Sequence, residues 1–456
     1  MAQERMYLED AKRLLTELVR QPEGFEEYHE SEIAKILKEI YSQDGVEQFL
    51  YYMRSIPEEY LGEILLELPE NIKDEALNEL SVNQLVDIVD ELDSDDAADL
   101  MQDIEDIDKA KERAILSNLD DDDVEDIERL KKYDDEKAGA WMQTELFAAN
   151  LDEKITHAID RLKILKEEEN LDNVHQAFIV DKFGILIGVV QLEDLITYDF
   201  QHTFRQYFDK THKMIQTVKA GDGVDEVVKI FEDYDLVVLP VVDYQGKLVG
   251  RITSDDVYDL IQERATDQIY KMAGVDDETE EDRDIISITK KRGTWLGVNL
   301  VTAILASLVI ALFDETLQKF VALAILMPIV ASMGGNAGTQ SLTIMVRQIA
   351  LGEMSWSDAK DSIRQEVIVS LLNGLIFALL MGLIAFAWFS DARLGIVIAL
   401  AMIINLLAAG LFGASIPLVL KKIGTDPAVA SSVLLTTVTD VLGFFAFLGL
   451  ATLILV

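Results

Sequence analysis

In the run SSVLLTTVTDVLGFFAF, Ser431 to Phe447, a single carboxylate, Asp440, stands among apolar and hydroxyl side chains. An acid at membrane depth costs about 2.5–3.5 kcal/mol on insertion scales, so such residues mark ion paths, proton sites or buried pairs. Thr436 and Thr437 lie four and three residues before Asp440 and Gly443 three after it, which puts all four on one helix face. No Lys or Arg within the apolar stretches is spaced to pair with Asp440, and a polar stripe centred on one acid suits a water-filled cation path. A buried acid bonded to a neighbouring helix is the alternative. The second polar run is MPIVASMGGNAGTQS, Met327 to Ser341. Pro328, Gly334, Gly335 and Gly338 predict a loosened helix with free carbonyls near Asn336 and Gln340. Such backbone is tolerated in a membrane only where it lines protein or water. A kink with small residues for close helix packing accounts for the same residues.

The remaining candidates are the many carboxylates of the first two thirds. The chain of 456 residues has a formal charge of -43, and 74 acidic against 33 basic residues precede Thr294. Phosphate binding needs clustered Lys and Arg, so nucleic acid is excluded as a partner. Hard cations, which take carboxylate and carbonyl oxygens, are favoured, with plain solubility as the alternative. There is no cysteine, and the five histidines are scattered, which excludes thiolate metal sites and redox chemistry. The segment MAQERMYLED has no apolar core and does not read as a signal peptide.

These residues must be positioned by three kinds of element. Five apolar stretches, 294–313, 320–347, 366–389, 393–420 and 427–456, are each near the roughly 20 residues a spanning helix needs. Arg347, Lys360, Arg364, Lys421 and Lys422 fall on the starting side, against Lys319 and Arg393 on the other. Excess Lys and Arg mark the cytoplasmic side, so the acidic region is expected in the cytoplasm and the C-terminus outside a plasma (inner) membrane crossed several times. Residues 56–104 repeat with a period of 12, with apolar residues at Ile56, Leu68, Leu80, Leu92 and Ile104 and again eight and nine positions on. Stacked short helices, a right-handed α-solenoid with acidic outer faces, are predicted. Then HQAFIVDKFGILIGVVQLEDLI, from His175, matches VVLPVVDYQGKLVGRITSDDVY, from Val237, at a constant offset of 62. Each copy predicts a strand, an Asp-x-x-Gly turn, a second strand and an acid-capped helix.

That duplicated α/β unit resembles a tandem pair of CBS domains, modules that sense adenine nucleotides or ions. Together with the repeat region, a charged connector and five spans, nearly the whole chain resembles the MgtE-type magnesium channel family, most specifically through PIVASMGGNAGTQS and TDVLGF. The resemblance implies a multidomain, largely α-helical membrane protein. Residues 1–134 form the acidic repeat domain, 135–199 and 200–262 the two CBS domains, 263–293 a connecting (plug) helix and 294–456 a five-helix transmembrane domain. It further implies a lipid-embedded homodimer, not an enzyme, with Mg2+ flowing passively through a pore on the dimer axis. Asp440 would hold the ion, beside Thr436, Thr437, Gly334, Gly335, Asn336, Gln340 and Pro328. Regulatory Mg2+ would bridge Asp95, Asp96, Asp99, Asp235, Asp256, Asp259 and Asp267 and close the pore; ATP is a further expected ligand of the CBS pair. Three positions depart from the family pattern: Arg264 and Gln268 replace expected acids on the connecting helix, and Gly410 an asparagine of the fourth span. A membrane-anchored sensor without transport and a proton-coupled carrier are the competing readings.

Overall fold

A computed structural model describes residues 2–167, 171, 174–208, 215–275, 285–350, 354 and 359–456. The chain divides into two compact units, Met1–Glu263 and Arg264–Val456.

In the first unit the 12-residue repeat folds as predicted. Helices Glu58–Leu66, Glu70–Glu79, Val82–Asp90 and Ser94–Ile107 begin 12 residues apart, each preceded by Pro57, Pro69, Ser81 or Asp93 at the N-cap. Proline cannot extend a helix backwards and Ser81 accepts from an orphan amide, while Asp93 holds the same position without a side-chain cap bond, so one sequence position punctuates every repeat. Alternate helices pack on one another, which buries Ile64, Leu65, Ala76, Leu77, Ile88, Val89, Leu100 and Met101 in one continuous core. This is the two-layered stacking of a solenoid.

The duplicated segment gives two three-stranded sheets. In the first, β1 (Ala148–Asn150) runs parallel to β2 (Gln176–Val180), which pairs antiparallel with β3 (Leu186–Gln191). The second repeats this with β4 (Val218–Lys219), β5 (Val238–Val242) and β6 (Leu248–Thr253). The Asp-x-x-Gly turns are equivalent: Asp181 Oδ1 accepts from the amides of Phe183 and Ile185, and Asp243 Oδ1 from those of Gln245 and Lys247. Gly184 and Gly246 take φ of 82° and 83°, where a side chain would be strained. The two turns also join each other, Leu186 N donating to Gly246 O and Leu248 N to Gly184 O, both at 3.0 Å.

The expected connecting helix over 263–293 is divided. Its first part belongs to a helix Ser254–Ala273, residues 276–284 lie outside the described ones, and Ile285 onward is continuous with the first span. The five spans are Ile285–Ala311, Val321–Ala350, Ala359–Phe389, Ala392–Lys422 and Pro427–Leu455. The fourth is the most enclosed and packs on the second, third and fifth; the first is the least enclosed and packs mainly on the fifth.

The repeat's caps make a direct prediction. Ser81 Oγ accepts from Gln84 N while the Gln84 side chain accepts from Ser81 N. Ser81→Ala is expected to destabilise the first unit by about 1 kcal/mol, read as a lower urea midpoint with unchanged slope.

Candidate functional site

The second span carries two opposed faces. Pro328, Ser332, Asn336, Thr339 and Gln340 are exposed and fall on one side at helical spacing. Leu323, Leu326, Val330, Gly334, Gly338, Ser341 and Leu342 are buried on the other. The helix is continuous from Val321 to Ala350, which corrects the expectation of a loosened helix and agrees with the alternative of small residues for close packing. Pro328 removes only the one amide that would bond Ala324 O. Thr339 Oγ1 donates to Gly335 O at 2.9 Å, and Asn336 Nδ2 to Ser332 Oγ at 3.3 Å. The buried glycines serve close packing instead. A Cβ built on Gly338 would lie 2.9 Å from Leu435 of the fifth span, and one on Gly413 of the fourth only 2.7 Å from Gly338 O.

On the fifth span, Asp440 is half-buried and, among the described residues, has no hydrogen-bond or ion-pair partner. Thr436 is exposed and Thr437 half-buried; their hydroxyls donate to Ser432 O and Val433 O at 2.9 and 2.7 Å. Both therefore keep lone pairs for a hydrated ion. Asp426 caps this helix, its Oδ1 accepting from Ala428 N at 2.8 Å.

Sequence reading passed over two polar side chains here. Asn405, on the fourth span, is buried between the second and fifth spans, its Nδ2 donating to Val330 O at 2.7 Å. Glu366, on the third, accepts from the buried Ser341 hydroxyl at 2.7 Å. An isolated amide inside an apolar run is the signal that could have found Asn405, whereas Glu366, beside Arg364 and Gln365 at the edge of its span, carries no such signal. At Gly410, where the resemblance led to the expectation of an asparagine, a Cβ would lie 2.0 Å from Ser370 Oγ and 3.0 Å from Glu366 O, so this packing leaves no room for one.

The cytoplasmic carboxylates separate into groups. Asp95, buried, and Asp96, half-buried, sit in the first turn of Ser94–Ile107 near Asp256, whose Oδ2 accepts from Thr253 Oγ1 at 2.6 Å. Burial, then the charges of Asp96 and Asp256, pushes Asp95 well above the usual carboxylate range. Asp96 is lifted to about 8 by burial and then by Asp256, Asp99 and Asp93. Asp256 is raised to about 6, chiefly by burial. Asp99 is lifted to about 7 by the crowding of the chain and by Asp103 and Asp135, although its side chain opens to solvent, which screens the effect. Asp235 ends the helix Val224–Tyr234 at a left-handed φ of 49°, a conformation aspartate tolerates, and Asp259 is exposed. Neither is brought to the Asp95 group by any contact described. Asp267 lies in the other unit and is paired with Lys271 at 2.6 Å, which also reaches Asp426 at 3.2 Å. Met272 packs beside it on Leu342, Val346, Ala428 and Leu435. Among the described residues no three acids or histidines converge closely enough to hold a bare ion.

A raised carboxylate favours the folded state at low pH and loses that stabilisation as pH climbs through its folded value. With Asp96 near 8, the full chain in chelator is expected to lose about 2 kcal/mol between pH 6 and 8, several degrees in the unfolding midpoint. Added Mg2+, displacing the protons, should restore more at pH 8 than at pH 6. A midpoint flat across this window would remove the coupling.

Comparison with known proteins places these features. Residues 327–450 match the family model MgtE, described as a divalent cation transporter; 28–136 match the MgtE intracellular N domain, and 138–200 and 211–263 the CBS domain. The chain is 30% identical over 328 residues to the magnesium transporter MgtE of Enterococcus faecalis, covering 72% of this chain and 71% of that one. It is 30% identical over 333 residues to that of Thermus thermophilus, covering 72% of each. Among solved structures it is similar to the cytosolic domain of the Mg2+ channel MgtE in complex with ATP, at 27% identity and a TM-score of 0.44, over 52% of this chain and 98% of that one. With such identity sustained over most of both relatives and the matched runs falling on the spans, the CBS pair and the acidic repeats, the chain belongs to the MgtE family of divalent cation transporters.

Proposed function

We propose that the chain conducts Mg2+ passively into the cell through a path lined by the second and fifth spans on the axis of a homodimer. The observation that carries this reading is the exposed stripe of Pro328, Ser332, Asn336, Thr339 and Gln340, with Thr436 and Asp440 on the packed neighbour. Lipid offers such groups no hydrogen bonds, whereas a second copy across an aqueous path does. Gly335 beside the stripe keeps backbone accessible to the ion's water shell. Magnesium dehydrates reluctantly, so one carboxylate from each copy, bonding to coordinated waters, is a fitting site. The membrane potential drives a divalent ion by about 4.6 kcal/mol per 100 mV, enough for uptake without an energy source. The excess of Lys and Arg on one side supports a cytoplasmic N-terminal region and an external C-terminus.

The same proposal makes the acidic cytoplasmic region the sensor. Asp95, Asp96, Asp99 and Asp256 repel one another while bare of cations, and hydrated Mg2+ relieves that repulsion. Asp235, Asp259 and Asp267 are assigned to the same regulation by the resemblance of their positions to the family pattern alone. The CBS pair supports a nucleotide, ATP in particular, as an additional ligand.

In liposomes with an internal magnesium dye, Asp440→Ala is expected to cut uptake by about 100-fold, the scale of a lost charge-assisted contact, while folding and assembling normally. Undiminished uptake would remove Asp440 from the path. Because the chain has no cysteine, Asn336→Cys supplies a unique thiol. Mild oxidation should then join two copies, as thiols flanking a narrow axis come within disulfide reach. If Ser332, Asn336 and Gln340 all fail to cross-link as cysteines, the stripe does not face the axis.

A further inference from the structure

Asn405 is 1% exposed in the middle of the fourth span, with its Nδ2 on Val330 O of the second span at 2.7 Å. Its Oδ1 is buried and has no hydrogen-bond partner among the described residues. An unmet buried acceptor costs about 1–3 kcal/mol, and packing alone would be met by an apolar side chain with no such unmet group. Two glycines explain its place. A Cβ added to Gly334 would meet Asn405 first, its Nδ2 at 2.2 Å, Cγ at 2.7 Å and Oδ1 at 2.9 Å. A Cβ on Gly443 of the fifth span would likewise meet Nδ2 at 2.8 Å and Cγ and Oδ1 at 3.0 Å. The three nearest atoms at both positions thus belong to one side chain, held between two helices that have each given up a side chain to admit it.

These contacts lie one turn or less from the polar groups of the path. Gly334 is two residues before Asn336, and Gly443 three residues after Asp440. We propose that Asn405 is a positioning residue that sets the spacing and register of the second and fifth spans, and through them the width of the ion path beside Asp440. Hydrated cations of equal charge differ chiefly in size and in how readily they shed water, so this amide determines selectivity among divalent ions. It touches no ion itself. The inference rests on the pathway proposed above.

The test is a mutant cycle on the full-length protein in liposomes, with uptake of Mg2+ and Ca2+ measured separately. Asn405→Leu keeps the branching, adds bulk and loses the donor; it is expected to fold, to slow Mg2+ uptake about tenfold and to raise Ca2+ uptake relative to Mg2+. Gly334→Ala alone should be equally damaging, and far less so in an Asn405→Ala background, where the space is free. The same rescue is expected for Gly443→Ala, which decides the matter if Asn405→Leu does not fold. Equal damage by Gly334→Ala in both backgrounds overturns the proposal. So does rescue seen in thermal stability with an unchanged Mg2+ to Ca2+ ratio, which would make Asn405 a packing residue only. Failure of the pathway itself has a different signature: Asp440→Ala would retain uptake while the Asn405–glycine coupling persisted in the stability measurements.

Discussion

Lipid cannot solvate a polar group, and the membrane unit is organised around that constraint. The second span puts Gly334, Gly338, Ser341 and its leucines on one face and Pro328, Ser332, Asn336, Thr339 and Gln340 on the other. The first face packs on neighbouring spans; the second is exposed among the described residues. An exposed stripe of this kind is a demand for water or for a second copy, and the proposed dimeric path supplies both. The fourth span makes the arrangement possible by being the scaffold rather than the lining. Its glycines at 395, 410 and 413 bring it close to its neighbours, and its buried face is almost wholly apolar.

The exception on that face is Asn405. Its amide ties the fourth span to Val330 and sits against glycines from two helices, the kind of polar contact that specifies one packing among several apolar ones. Apolar side chains alone can slide by a turn at little cost; a hydrogen bond between two glycine notches cannot. The hydroxyl of Ser341 on Glu366 adds a second such contact, to the third span.

The cytoplasmic unit follows the opposite rule, since water surrounds it and charge is cheap at its surface. What is unusual there is acid drawn inward. Asp95 is 7% exposed, and Asp96 and Asp256 are only half open to solvent, so each is protonated more readily than a surface carboxylate. A cluster in that condition responds to whatever supplies positive charge, whether proton or hydrated metal ion. Asp267 shows the alternative solution: Lys271 already holds it, together with the Asp426 cap of the fifth span.

Much of this was legible in the residues alone, because local periodicity fixes local structure. The 12-residue spacing of Ile56, Leu68 and Leu80 specified the stacked helices, the 62-residue offset specified two equivalent sheets down to their Asp-x-x-Gly turns, and hydropathy specified five spans. Asp440 stood out because charge in an apolar run needs no partner to be noticed. Other features were decided only by the fold. Pro328 and the glycines read as a loosened helix or as a packing face, and the helix is continuous; helix loosening and helix contact call for the same small residues, and only the facing chain tells them apart. The lack of a side chain at Gly410 has its reason only in the fold, which sets Ser370 of the third span against it. The place of Asn405 could not be read from its neighbours in sequence, because it is defined by Val330, Gly334 and Gly443, on two other helices that meet it only in three dimensions.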